Sequence, residues 1–164
     1  WVVWPLAAVT GVLLIIAGAG LFIRLLRWRG WIVINDGMVA VLHLGYFWCA
    51  LGLAMLGASI LWPAHLAGSA AIHALAVGAI GMMTLAVMTR TSRSHTGRER
   101  RADRPTLAIY GLVMAAATTR VLAPFAMSIY SELLVLSALS WSLAFATFAL
   151  VYGPMLARAW KRKV

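Results

Sequence analysis

The chain has 164 residues, of which 63% are hydrophobic and 11% charged, against about 45–50% and about 25% in a typical globular domain. Mean hydropathy is +0.92, and it comes from long apolar runs of the length that a ~30 Å hydrocarbon core demands of a helix. A secreted scaffold, a disordered chain and a soluble nucleotide-binding or barrel enzyme are excluded. The net charge of +10 would suggest nucleic acid in a soluble chain. Here the Arg and Lys fall between apolar runs, where they set orientation and meet anionic lipid. Lipid is the expected partner, and nucleic acid is not.

Five runs follow in chain order: residues 2–23, closed by Arg24, Arg27 and Arg29; 37–62, closed by Trp62-Pro63; 66–88, closed by Arg90; 106–123; and 132–156, closed by Arg158 and Lys161-Arg162-Lys163. Only a helix satisfies its own backbone groups in lipid at these lengths. The expected fold is all-α, a polytopic transmembrane bundle of about five spans forming a single membrane domain over 1–164. The chain opens at Trp1 with neither Met nor a basic leader, so it is expected to be part of a longer one.

With five spans, the 24–36 connection, the 89–105 connection and the C-terminal stretch share one side. They hold 13 of the 14 basic residues, and only Arg120 falls opposite. The excess of positive charge in cytoplasmic loops then predicts an outside N-terminus and a cytoplasmic C-terminus. Trp1, Trp4, Trp28, Trp31, Trp62 and Trp160 stand at run ends, as interfacial indoles do. Trp48 and Trp141 lie inside runs and are expected to pack between helices. Gly68, Ala71, Gly78 and Gly81 give the third run the small residues that let backbones approach closely.

Chemistry is sought first at ionisable groups inside the runs. His43 lies in the second run and His73 in the third. Each is either a packing histidine hydrogen-bonded to its surroundings or a ligand, since a neutral imidazole binds haem iron or copper readily. At 1.5 Å per residue they lie about 9–10 Å from opposite faces of the core. One haem held by both is therefore disfavoured, and separate sites or donors from other helices fit better. A ligating histidine also needs its second ring nitrogen fixed, so a partner is expected beside His73. His65 and His95 read as solvated positions, His95 within a basic connection able to meet lipid phosphate or a partner. Met82, Met83 and Met88 either fill gaps between helices or offer soft sulfur to Cu(I). Arg120 and Glu132 flank the turn around Pro124 and either pair or reach water. The lone Cys49 allows no internal disulfide. No hydrolase, nucleotide or zinc motif is present.

The string from His73-Ala-Leu-Ala-Val-Gly-Ala-Ile-Gly to Thr-Leu-Ala-Val-Met-Thr-Arg90, continued to His95-Thr96-Gly97-Arg98, together with Leu42-His43-Leu44-Gly45-Tyr46, resembles the NnrS family. These are bacterial inner-membrane proteins of about twelve helices, tied to nitric-oxide stress and denitrification and associated with haem and copper. The resemblance covers the chain as the last five of those helices. It implies haem and copper as cofactors, His73 and His43 as ligands, and His95 as a further family histidine at a metal. Arg90, Thr96, Gly97 and Arg98 match a connection motif whose role the sequence does not give. No catalytic residue is implied, since binding, sensing and turnover of nitric oxide are all chemically open. The competing reading is a structural or assembly subunit of a respiratory or photosynthetic membrane complex with no metal of its own. The remaining helices of the same protein, or partner membrane subunits, are expected neighbours in either case.

Overall fold

A computed structural model describes residues 4–32 and 34–159, the side chains of residues 31, 158 and 159 excepted. Trp1, Trp160 and the Lys161-Arg162-Lys163 cluster lie outside the described residues. Every regular element among those described is helical: α1 (Ala8–Arg27), α2 (Gly37–Leu61), α3 (Gly68–His95), α4 (Arg104–Leu122) and α5 (Tyr130–Ala159). All five are long and apolar enough to cross a membrane. Two short 3₁₀ turns, Ala123–Phe125 and Met127–Ile129, join α4 to α5.

Local chemistry fixes where the helices begin and end. α1 closes with Arg24 and Arg27 in its last turn, where cations face the unpaired carbonyl end favourably. Asp36 caps α2 by accepting the Met38 N–H at 2.9 Å. Asp103 caps α4 by accepting the Thr106 N–H at 3.2 Å, and Pro105 sits in the first turn, where its missing N–H costs nothing.

Contacts between helix ends establish the topology. Gly37, opening α2, lies against Ala102 and Leu107 at the start of α4. Arg93 near the end of α3 bonds Asp103, and also Tyr152 near the end of α5. Gly11 near the start of α1 lies against Leu61 at the end of α2. Arg24, Arg27, Arg29 and the arginines of residues 90–104 thus gather at one end of the bundle, with Arg120 at the other.

Small residues bring the helices together. A Cβ on Gly57 would strike the Gly11 carbonyl oxygen, and one on Gly18 would lie 2.8 Å from the Ala50 carbonyl. Ala50, Ala70, Ala71, Ala74, Ala116 and Ala117 are fully buried. Lipid tails are as apolar as leucine, so close backbone contact rather than hydrophobic exclusion must hold such helices together. α3 and α4 form the centre. α1 and α5 turn most of their apolar surface outward, as at Leu13, Ile16, Leu139 and Leu150.

α3 departs from its sequence reading in two ways. It runs to His95 rather than stopping near Met88, because Thr89 and Arg93 find buried partners on neighbouring helices and Ser92 is buried between them. Its middle, Ala74–Gly81, is a π-helix, a widened geometry that the apolar string does not signal.

Candidate cofactor site between α3, α4 and α5

His73 is the last residue before the π segment. It lines an open groove of about 400 Å³ with Val77 on α3, Arg120 on α4, and Ser137, Trp141 and Ser142 on α5. That volume lies toward the lower end of the roughly 300–1,000 Å³ usual for small-molecule sites. Gly81 seats Trp141: a Cβ there would lie 2.5 Å from the ring, so only glycine lets the indole lie against α3. Phe145 tilts against the same indole at 4.7 Å between centroids. The Ser137 hydroxyl donates to the Ala116 carbonyl at 2.9 Å, which leaves its lone pairs as acceptors. Arg120 does not pair with Glu132. Among the described residues the ion pair is Arg93–Asp103.

His43 sits near the opposite, arginine-rich end. Its Nδ1 lies 3.0 Å from the Val39 carbonyl one turn earlier, so as the N–H tautomer it donates there and leaves Nε2 with its lone pair. Trp28 packs edge-on to the imidazole at 5.8 Å and tilts over Tyr46 at 4.7 Å. Gly30 covers the Cδ2–Nε2 edge, and a Cβ there would come within 2.6 Å of the ring. The Tyr46 hydroxyl, one turn from His43, is buried without a hydrogen-bond partner. The fixed ring nitrogen expected beside His73 is therefore found at His43. No such bond fixes His73 among the described residues.

His95 ends α3 and is exposed. The residues after it form a helix stop. Gly97 takes φ 67°, its N–H donates to the Ser94 carbonyl at 3.2 Å, and the Arg98 N–H donates to the Arg93 carbonyl at 2.9 Å. This is a Schellman cap, in which glycine occupies the left-handed position. The Thr96 hydroxyl closes the turn further, on the Ser92 carbonyl at 2.8 Å. The Thr96-Gly97-Arg98 motif thus has a structural role, and half-buried Arg90 lies on α3 just ahead of Arg93.

The sequence reading missed a polar network at this end, having placed residue 93 only within the 89–105 basic connection. Arg93 is 8% exposed. It pairs with Asp103 and donates from Nε to the Tyr152 hydroxyl at 3.2 Å. Thr106 Oγ1 donates to Asp103 at 2.5 Å and lies 2.6 Å from the Tyr152 hydroxyl. Thr89 and Tyr110 form a second buried pair at 2.6 Å. Burial pushes the Asp103 carboxyl up, but hydrogen bonds from Thr106 and Arg93 outweigh it and hold the group below its usual 3.8. Arg93 four residues after Thr89 was the available signal: the spacing puts both on one helical face.

The donor chemistry separates the two metals. Haem needs one or two axial ligands, and a single imidazole with a flat indole wall, as at His73, fits that need. Copper commonly wants several converging donors. Among the described residues no three His, Cys, Asp or Glu converge on one point. Met82 is buried in the core and Met83 packs on Gly45, so these methionines fill space. His43 and His73 stand at opposite ends of the bundle, His73 beside Arg120 and His43 beside Trp28 and Gly30.

Among curated proteins and solved structures, no match to the chain is found. Residues 1–159 match the family model described as NnrS protein. With five apolar helices and that match across nearly its whole length, the chain belongs to the NnrS family.

Proposed function

We propose that this protein holds haem in the bacterial inner membrane and acts in the response to nitric oxide, with copper as the second metal that the family implies. The observation carrying this reading is His73, an imidazole at membrane depth facing a groove instead of being buried among helices. Placing an ionisable residue there is costly and marks function more often than packing. His73 would supply a nitrogen ligand to the iron, and Trp141 would shield one side of the group from water. Ser137, which lines the same groove, would accept from the second ring nitrogen. Ferrous haem in such a site supplies an iron that binds nitric oxide directly. His43, with its Nδ1 fixed on Val39, would serve a separate metal, and exposed His95 would be an accessory ligand at most. The arginine-rich end faces the cytoplasm, by the bias of basic residues toward that side.

Haem and copper per chain, measured in the full-length protein, test this. His73→Ala should lose haem while insertion is retained. His43→Ala should lower metal through its own site. Unchanged content in both variants would return the histidines to packing. The second reading, a structural subunit, draws support from the outward apolar faces of α1 and α5, and it predicts a colourless protein that copurifies with partner helices.

A further inference from the structure

Arg120 is the one arginine or lysine among the described residues at its end of the bundle, where Glu132 does not neutralise it. A guanidinium stays charged under all ordinary conditions, so it needs either water or an anion. Its place in the last turn of α4 is favourable for a cation, but that alone does not explain why it lines the groove with His73. The groove's other polar groups are the uncharged hydroxyls of Ser137 and Ser142 and the indole N–H of Trp141, and the Ser137 hydroxyl proton is already committed to Ala116. The groove therefore offers an occupant one imidazole, one flat aromatic wall and one cation.

We infer that Arg120 anchors a carboxylate of the molecule that binds in the His73 groove. The inference rests on the haem reading for the identity of that molecule. Haem carries two carboxylates on an apolar ring, together with an iron that an imidazole can ligate. One molecule can thus engage His73, Trp141 and Arg120 at once. Guanidinium and carboxylate match as a two-pronged, charge-assisted pair, strongest where water is scarce. Arg120 would hold the carboxylate and His73 would bind the iron of the same molecule.

The test titrates purified, haem-depleted full-length protein with haemin and with haemin dimethyl ester, whose carboxylates are blocked. Wild type should prefer the free acid by on the order of tenfold, the size of one charge-assisted bond. Arg120→Gln should lose that preference, chiefly by weakening the free acid, while Arg120→Lys should keep part of it. High salt should narrow the gap in wild type and in Arg120→Lys, and change nothing in Arg120→Gln. If haemin binding needs His73 but wild type does not distinguish acid from ester, the anchor is wrong and the haem reading stands. If neither porphyrin binding nor haem content depends on His73, the haem reading falls, and the anchor falls with it.

Discussion

The hydroxyl oxygens of Thr106 and Tyr152 lie 2.6 Å apart, tying the first turn of α4 to the far end of α5. Both side chains are fully buried. The same Tyr152 oxygen accepts from Arg93 on α3, so one hydroxyl joins three helices. Buried polar groups at such a junction are costly when left unpaired.

Tyr152→Phe removes that hydroxyl and keeps the ring, which stacks on Phe148 at 4.9 Å. The expected loss is about 1–3 kcal/mol, from two partners left unsatisfied. Thr106→Ala should cost a similar amount, and the double variant less than the sum, because the two changes remove one shared bond. Equilibrium unfolding of all three in detergent checks this. Strict additivity would show that the hydroxyls do not interact.

The Asp103 carboxyl sits below its usual 3.8 in the folded chain. A depressed carboxyl contributes stability above the unfolded value, and that contribution fades as pH falls through the folded value. Thermal stability of wild type should therefore drop below about pH 4 by more than that of Asp103→Asn. Because the Asp103 side chain is 49% exposed, water screens the pair and the difference should be modest. Equal acid sensitivity in the two proteins would remove Asp103 from the network's energetics.

Gly78 and Gly81 should be intolerant of any side chain. A Cβ at Gly78 would lie 2.5 Å from the Trp48 ring, and one at Gly81 the same distance from Trp141. Overpacking of this kind typically costs about 1–3 kcal/mol. Gly111, with nothing within 4 Å of a Cβ, is the control: Gly111→Ala should be neutral or stabilising by up to about 1 kcal/mol. Yield of folded protein and melting temperature separate the two classes.

Gly97→Ala should fray the end of α3. Holding a residue with a Cβ in the left-handed region costs roughly 1–2 kcal/mol. Hydrogen exchange at the Arg98 amide, now bonded to the Arg93 carbonyl, should accelerate before that of amides near Leu85. Uniform exchange along α3 would contradict a local cap.

The five spans were legible because each carries a long apolar run, the fourth interrupted only near its far end by Arg120, and arginines punctuate all but two of the breaks. The fate of Thr89–His95 was not, since hydropathy cannot distinguish a solvated polar stretch from a polar helical end with buried partners. The stop at Thr96-Gly97 could have been read from the glycine alone, which is a standard sign of a helix end. His43 and His73 were found as intramembrane imidazoles, and their separation followed from depth. The meeting of His73 with Arg120 was beyond reach, because residues 73 and 120 are joined only by the packing of α3 on α4. The π segment left no trace either, as alanine, valine and glycine serve both helix types.

Ala74–Gly81 divides α3 into two halves whose facing is set independently. Below it, Arg93 and Thr89 must meet Asp103 and Tyr110. Above it, His73 must open beside Arg120. In an uninterrupted α-helix the two demands are locked together, since each residue advances the face by about 100°. The wider turns absorb the mismatch, so the segment works as a phase adjuster between the His73 groove and the arginine clamp. Forcing these same eight residues into ordinary α-turns would advance the face further over the segment, turning His73 away from the groove and leaving the clamp closed.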